Sequence, residues 1–172
     1  MTIVCATRFS EESTHAVKGA AALARKGREQ LHLVHVIQPS VVQGLSDRLV
    51  ETIRAALESE VGRLRATGTV ATAEILVGRV DEELAKYCAG IGARMLVVGD
   101  TARRSGDLLA GTLDRLAYAV ESPLLIIRDE RPFERWAADG GELRVMLAFD
   151  RTASSAVARD WLGRLAQFGE ID

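Results

Sequence analysis

The feature that most constrains this chain is a hydrophobic period that switches back and forth along its length. Short apolar runs, "TIVCAT", "LHLVHVI", "VATAEILVG", "RMLVVG" and "PLLIIRD", are separated by longer stretches with helical spacing. Strands joined by helices pair in parallel through right-handed crossovers, which puts helices on both faces of one sheet. The pattern therefore predicts a doubly wound α/β domain of five strands.

The helical stretches carry their own punctuation. "SEESTHAVKGAAALARKG" places Ala16, Ala20, Leu23 and Ala24 on one face, with Ser10 placed to cap its start and Gly27 to end it. From Leu45 to Ala66 a stripe of Leu45, Leu49, Ile53, Leu57, Val61 and Leu64 closes at Gly68. "DEELAKYCAG" predicts a short helix, and the segment after Gly111 aligns Leu113, Leu116, Ala117 and Val120. Pro123 begins the last strand, where a missing N–H is tolerated.

After residue 129 the character changes. Residues 130–142 are charged, contain Pro132 and a Gly-Gly pair, and are expected to be a linker. "RVMLAFDRTASSAVARDWLGRLAQFG" (144–169) then aligns without gaps to "TIVCATRFSEESTHAVKGAAALARKG" (2–27). Ala6, Ser13, Ala16, Ala24 and Gly27 recur as Ala148, Ser155, Ala158, Ala166 and Gly169. Residues 143–172 are thus expected to be the first strand and helix of an incomplete second repeat. One strand and one helix cannot bury a core alone. The unit belongs either to a longer two-domain protein or to an arrangement completed by something else, such as a neighbouring chain.

Composition excludes several classes. A net charge of −2 gives no global field for nucleic acid or an anionic membrane. No apolar run approaches the ~20 residues of a membrane span. "MTIVCATRFSEES" has no basic segment ahead of its apolar run, so a cytoplasmic location is expected. Cys5 and Cys88 lack metal-site or C-x-x-C spacing and are expected to be small buried hydrophobes. His32 and His35 are out of phase for one strand face, His15 lies near a helix start, and none is expected to be catalytic. "VDEEL" (80–84) is expected to be a solvated helix start favourable to the dipole. "GDLLAGT" has Walker A spacing between Gly106 and Gly111 without its lysine, and no G-x-G-x-x-G follows the first strand.

The segments "VCATRFSEES", "LHLVHVI", "ILVGRVDEELAKYC", "RMLVVGD" and above all "GTLDRLAYAVESPLLIIRD" resemble the universal stress protein family across residues 2 to 128, and again from 143. The resemblance implies a five-stranded parallel sheet in order 3-2-1-4-5, with a switch point between strands one and four where ligands bind in open α/β sheets. It further implies that Ala6, Thr7 and Arg8 flank a nucleoside, that Val36 lines an adenine pocket, and that Gly99, Gly111 and Thr112 meet ribose and phosphates. ATP is the ligand implied, with Mg²⁺ arriving only with it, and the family commonly dimerises through its last strand, here Leu124 to Ile127.

The chain departs from the ATP-binding pattern of that family at two places. The pattern sets Gly, two residues, Gly, nine residues, then Gly with Ser or Thr, so that backbone N–H groups close on phosphate at a helix start. Gly99 and Gly111-Thr112 fit its ends. Ala102 occupies the middle glycine, the stretch is one residue short, and Gly106 lies elsewhere. The acid such relatives carry after strand one is Arg8 here, while the repeat keeps Asp150. Arg8, Arg103 and Arg104 are either phosphate contacts or solvated loop residues. Two functions follow: a non-enzymatic, cytoplasmic nucleotide-responsive module, or a ligand-free dimeric scaffold of the same fold.

Overall fold

The computed structural model describes residues 2–38, 47–100, 110–138, 141–148, 153–167 and 169–172. Five strands, β1 (Thr2–Ala6), β2 (Gln30–Ile37), β3 (Val70–Val77), β4 (Met95–Gly99) and β5 (Leu124–Ile127), form one parallel sheet in order β3-β2-β1-β4-β5. Four helices connect them: α1 (Glu11–Gly27), α2 (Asp47–Ala66), α3 (Val80–Gly90) and α4 (Ala110–Ala119). Thus the doubly wound class and the strand order expected from the sequence are the observed ones.

Period 2 in the strands divides the core between two faces. Ile3, Cys5, Leu31, Leu33, Met95 and Val97 point to one face, where Ala16, Val17, Ala20, Leu23 and Ala24 of α1 and Leu57, Val61 and Leu64 of α2 cover them. Val4, Val34, Leu96 and Val98 point to the other, against Leu84 and Cys88 of α3 and Leu116 of α4. Both cysteines are buried and unbridged. Of the expected α2 stripe, Leu49 is exposed and Leu45 lies outside the described residues, while on α4 Ala117 faces outward.

Helix α1 starts as the sequence predicts. The Ser10 hydroxyl accepts from the Ser13 backbone N–H, and the Ser13 hydroxyl accepts from that of Ser10, closing a capping box. Its end differs. Gly27 is still helical, and Arg28 takes the left-handed conformation (φ 52°), donating its N–H to Ala24 and Arg25. Termination here is set by that hydrogen bonding, and the glycine is not used for its conformational freedom.

The stretch expected to be a linker contains a helix, α5 (Arg131–Ala137), with Pro132 in its first turn. Trp136 on this helix is fully buried in the α1-side core, and Phe133 packs against it. Proline and the glycine pair marked the ends of this element, not its absence. His15 and Lys18 of α1 both reach the Glu130 carboxylate just before it, the latter at 3.1 Å.

Beyond it, residues 144–148 do not extend into the expected strand. The described pairing is an isolated parallel bridge between Leu143 and Ile171, flanked by hydrogen bonds from Val145 N–H to the Asp172 carbonyl and from Asp172 N–H to the Leu143 carbonyl. A helix, α6 (Ala153–Leu165), lies between them. Leu143, Leu165, Trp161 and Ile171 join the α1-side core of the sheet domain.

Candidate functional site

β1 and β4 are neighbours, and their connections leave to opposite faces, so a crevice opens at their carboxyl ends. An apolar cavity of about 130 Å³ sits there. Six of the seven residues singled out from the sequence line it: Ala6, Thr7, Arg8, Val36, Gly99 and Thr112. The seventh, Gly111, precedes Thr112 on α4 but does not line the cavity, and its nearest side-chain neighbour is the Arg115 guanidinium. Val80, Leu84, Val98, Leu113 and Leu116 complete an apolar wall that the sequence reading missed. Their signal was the helical spacing of Val80 with Leu84 and of Leu113 with Leu116.

The β1–α1 turn is held by short-range bonds. The Phe9 backbone N–H donates to the Thr7 hydroxyl (3.2 Å), which itself donates to Ser13 Oγ (3.3 Å). His35 Nδ1 meets the Thr7 carbonyl at 2.8 Å, so this histidine positions the turn. Phe9 adopts φ 60°, a conformation that costs a non-glycine residue about 1–2 kcal/mol and that this network holds in place. His32 instead meets the Tyr87 hydroxyl on the opposite face. Burial lowers the His32 pKa and raises that of Tyr87.

Arg8, which stands where ATP-binding relatives carry an acid, is turned onto Ser10 (3.0 Å) and Glu12 (3.4 Å). The Ser10 hydroxyl, the backbone at Glu12 and the Arg8 guanidinium together hold the Glu12 carboxyl down to about 2. Glu12 is therefore an anion at neutral pH on the α1 side of the cavity.

Gly99 also meets a packing requirement that the sequence did not reveal. A Cβ at this position would overlap the Glu12 carbonyl oxygen, so the glycine lets β4 pack against the first turn of α1. The requirement is steric and holds with or without a phosphate. Ala102, Arg103, Arg104 and Gly106 lie outside the described residues, as does Asp150.

A second correction concerns "VDEEL". Asp81 is not solvated: it is 7% exposed and bridged by Arg79 (2.9 Å) and by Arg115 (3.4 Å) from α4. Burial pushes its carboxyl up, but the Arg79 hydrogen bond, its own backbone and the two guanidinium charges outweigh burial and hold it below the ordinary value. Among the described residues no group of histidine, cysteine and carboxylate side chains is arranged to hold a metal ion. No described helix is long and apolar enough to cross a membrane.

A parallel five-stranded sheet in this order, with helices on both faces and an apolar cavity at its switch point, places the chain in the doubly wound α/β class. Residues 1–128 match the universal stress protein family, and the chain belongs to that family. It is similar in structure to a universal stress protein family member from Burkholderia pseudomallei (22% identity, TM-score 0.58, 73% of this chain and 94% of that one). Two further similar structures carry nucleotides by their descriptions. One is a universal stress protein in complex with cAMP (22%, TM-score 0.59, 74% and 96%). The other is the Archaeoglobus fulgidus universal stress protein in complex with dAMP (18%, TM-score 0.61, 74% and 98%). At these identities the likeness carries the fold. No protein of curated function matches the chain.

Proposed function

We propose that this chain is a cytoplasmic, non-enzymatic stress-response module that binds an adenine nucleotide, ATP with its Mg²⁺, at the carboxyl ends of β1 and β4. The observation that carries this reading is the convergence of Ala6, Thr7, Arg8, Val36, Gly99 and Thr112 on one apolar cavity at the switch point. The cAMP and dAMP complexes of similar proteins support the ligand class. The non-enzymatic reading rests on chemistry. The acid lining the cavity, Glu12, has its pKa held near 2, too low for an effective general base at neutral pH.

A second reading, a scaffold that works by assembly, draws on β5. This strand is at the edge of the sheet, its Ile126 is exposed, and pairing with a second copy through Leu124–Ile127 would cover it. Ligand occupancy separates the two readings. Titration of Mg-ATP against thermal stability is expected to raise the midpoint continuously with the logarithm of ligand concentration, reaching about 2.7 kcal/mol at a hundred times Kd. Thr112→Val is expected to abolish that shift. An unchanged midpoint up to millimolar ATP, with a dimer by light scattering, would establish the scaffold instead.

A further inference from the structure

The apolar cavity accounts for only one end of a nucleotide. Its volume, about 130 Å³, is below the ~300–1,000 Å³ of sites that enclose a drug-sized ligand. Thr112 and Val80 are shared with a second cleft of about 450 Å³, which also carries Gln38, Gly78, Arg79, Asp81 and Arg115. The two spaces adjoin at these shared residues, the first lined mainly by apolar groups and the second by charged ones, as a base and a charged tail require.

The balance of charge differs between the two sides of the cavity. On the α1 side stands Glu12, ionised, and the cleft next to it also carries Glu11 and Asp100, the latter paired with Arg128 at 2.5 Å. That side also holds Arg8, bound to Glu12, and His15, so its carboxylates outnumber its guanidiniums three to two and a phosphate leaving that way would meet a net negative cleft. On the α3–α4 side stand two guanidiniums, Arg79 from the residue that precedes α3 and Arg115 from α4, brought to one carboxylate by Asp81. Arg115 also donates to the Thr112 hydroxyl (2.9 Å), which fixes it at the junction of the two spaces.

Asp81 is buried, whereas the side chains of Arg79 and Arg115 are 60% and 50% exposed. The anchor is therefore fixed while the donors face the cleft. Arg79 has a second partner, Glu82 at 3.2 Å, in an exposed pair of the kind that contributes little and exchanges readily. With Glu82 displaced, two guanidiniums and one carboxylate leave a net positive site of forked donors, the geometry that suits phosphate oxygens.

We infer that Arg79 and Arg115, positioned by Asp81, form the phosphate clamp of this site, so that its ligand is a nucleotide whose phosphates leave the cavity past Thr112 toward the start of α3. This rests on the reading of the cavity as an adenine-nucleotide site. The clamp distinguishes phosphorylated ligands from the nucleoside.

Calorimetric titration of the full chain with adenosine and with ATP, at two salt concentrations, tests the clamp. ATP is expected to bind at least tenfold more tightly than adenosine, with the excess shrinking at high salt. Arg79→Gln and Arg115→Gln, made singly, should each weaken ATP by about tenfold to a hundredfold, the range of one charge-assisted hydrogen bond, and leave adenosine unchanged. Adenosine binding thereby reports that each variant is folded. Arg115→Lys should recover part of the loss. Asp81→Asn should weaken ATP although it removes a negative charge, because the arginines lose their anchor; stronger ATP binding would overturn the positioning role. If ATP and adenosine bind alike, or the arginine variants match the unmodified chain, the clamp falls and the cavity reading stands. If no adenine compound binds, both fall.

Discussion

The chain starts the same local path twice. In the N-terminal unit, β1 leads through α1 to β2, and Thr2 pairs in parallel with Gln30. In the C-terminal unit Leu143 leads through α6 to Ile171, with the same separation along the chain and the same parallel sense. The surroundings differ. β1 lies between β2 and β4 with a helical layer on each face, and Val4 is fully buried. Its counterpart in the repeat is Met146, which is 97% exposed, and Val157 on α6 is 62% exposed. The C-terminal path thus repeats the spacing and parallel sense of the first, but as one bridge held against the sheet domain and without a strand. Burial is supplied by the neighbouring strands and helices, and a strand of a parallel sheet needs them on both faces.

The strongest break in this comparison is expected at the joint between the units. Trp136 is fully buried against the sheet domain, and its indole N–H donates to the Glu170 carbonyl (2.8 Å), beside the Leu143–Ile171 bridge. Trp136→Ala should cost about 3–5 kcal/mol, the range for emptying a large core site. Residues 143–172 should become protease-sensitive at the same time, read by denaturant melts and limited proteolysis. A loss confined to the C-terminal unit would show that the tryptophan serves only the joint.

Next in size is the paired test across the repeat. Val4→Ala should destabilise by about 2–3 kcal/mol, since two buried methyl groups and the resulting cavity both count. The expectation depends on Val4 lying in the closed face with Leu84, Leu96 and Leu116. An equilibrium melt that shifts by under 1 kcal/mol would mean that this face repacks freely.

Elements were legible where the cause is local. Five apolar runs and their helical separators gave the class, because period 2 and period 3.6 are properties of the run itself. The strand-end residues Ala6, Thr7, Arg8 and Gly99 came from the family resemblance, and the parallel sheet brings them to one carboxyl edge beside the cavity. What was illegible depends on partners distant in sequence. Asp81 looks solvated until Arg115 arrives from α4, and Gly99 looks like a phosphate glycine until the first turn of α1 is packed on it. Residues 130–142 looked like a linker because proline and glycine outweigh two aromatics, although Phe133 and Trp136 have helical spacing. The end of α1 was misplaced by one residue because Arg28 accepts a conformation that favours glycine.

A smaller effect is expected from pH at the α1–α5 contact. Burial pushes the Glu130 carboxyl up, but its backbone hydrogen bond, His15 and Lys18 more than offset that and hold it below its ordinary value of 4.5. A depressed folded-state pKa adds stability that is present above 4.5 and is lost as pH falls through the folded value. The protection of α5 amides, taken relative to each amide's intrinsic exchange rate at the same pH, should therefore fall on acidification below pH 4.5, ahead of that of β1 and β4. Glu130→Gln should remove that pH dependence. An equal loss of protection in the variant would assign the effect to other carboxylates.

The smallest expected effect is the most informative about the repeat. Met146→Ala should change stability by less than 0.5 kcal/mol, the ordinary range for an exposed position, whereas its counterpart Val4 carries a large cost. The measurement is a denaturant midpoint at two protein concentrations about a hundredfold apart. A cost above 1 kcal/mol that grows with concentration would mean that a second copy of the chain covers residues 144–148. In that case the two units differ in the source of their neighbours, and the C-terminal unit obtains by association the burial that the N-terminal unit obtains within its own sheet.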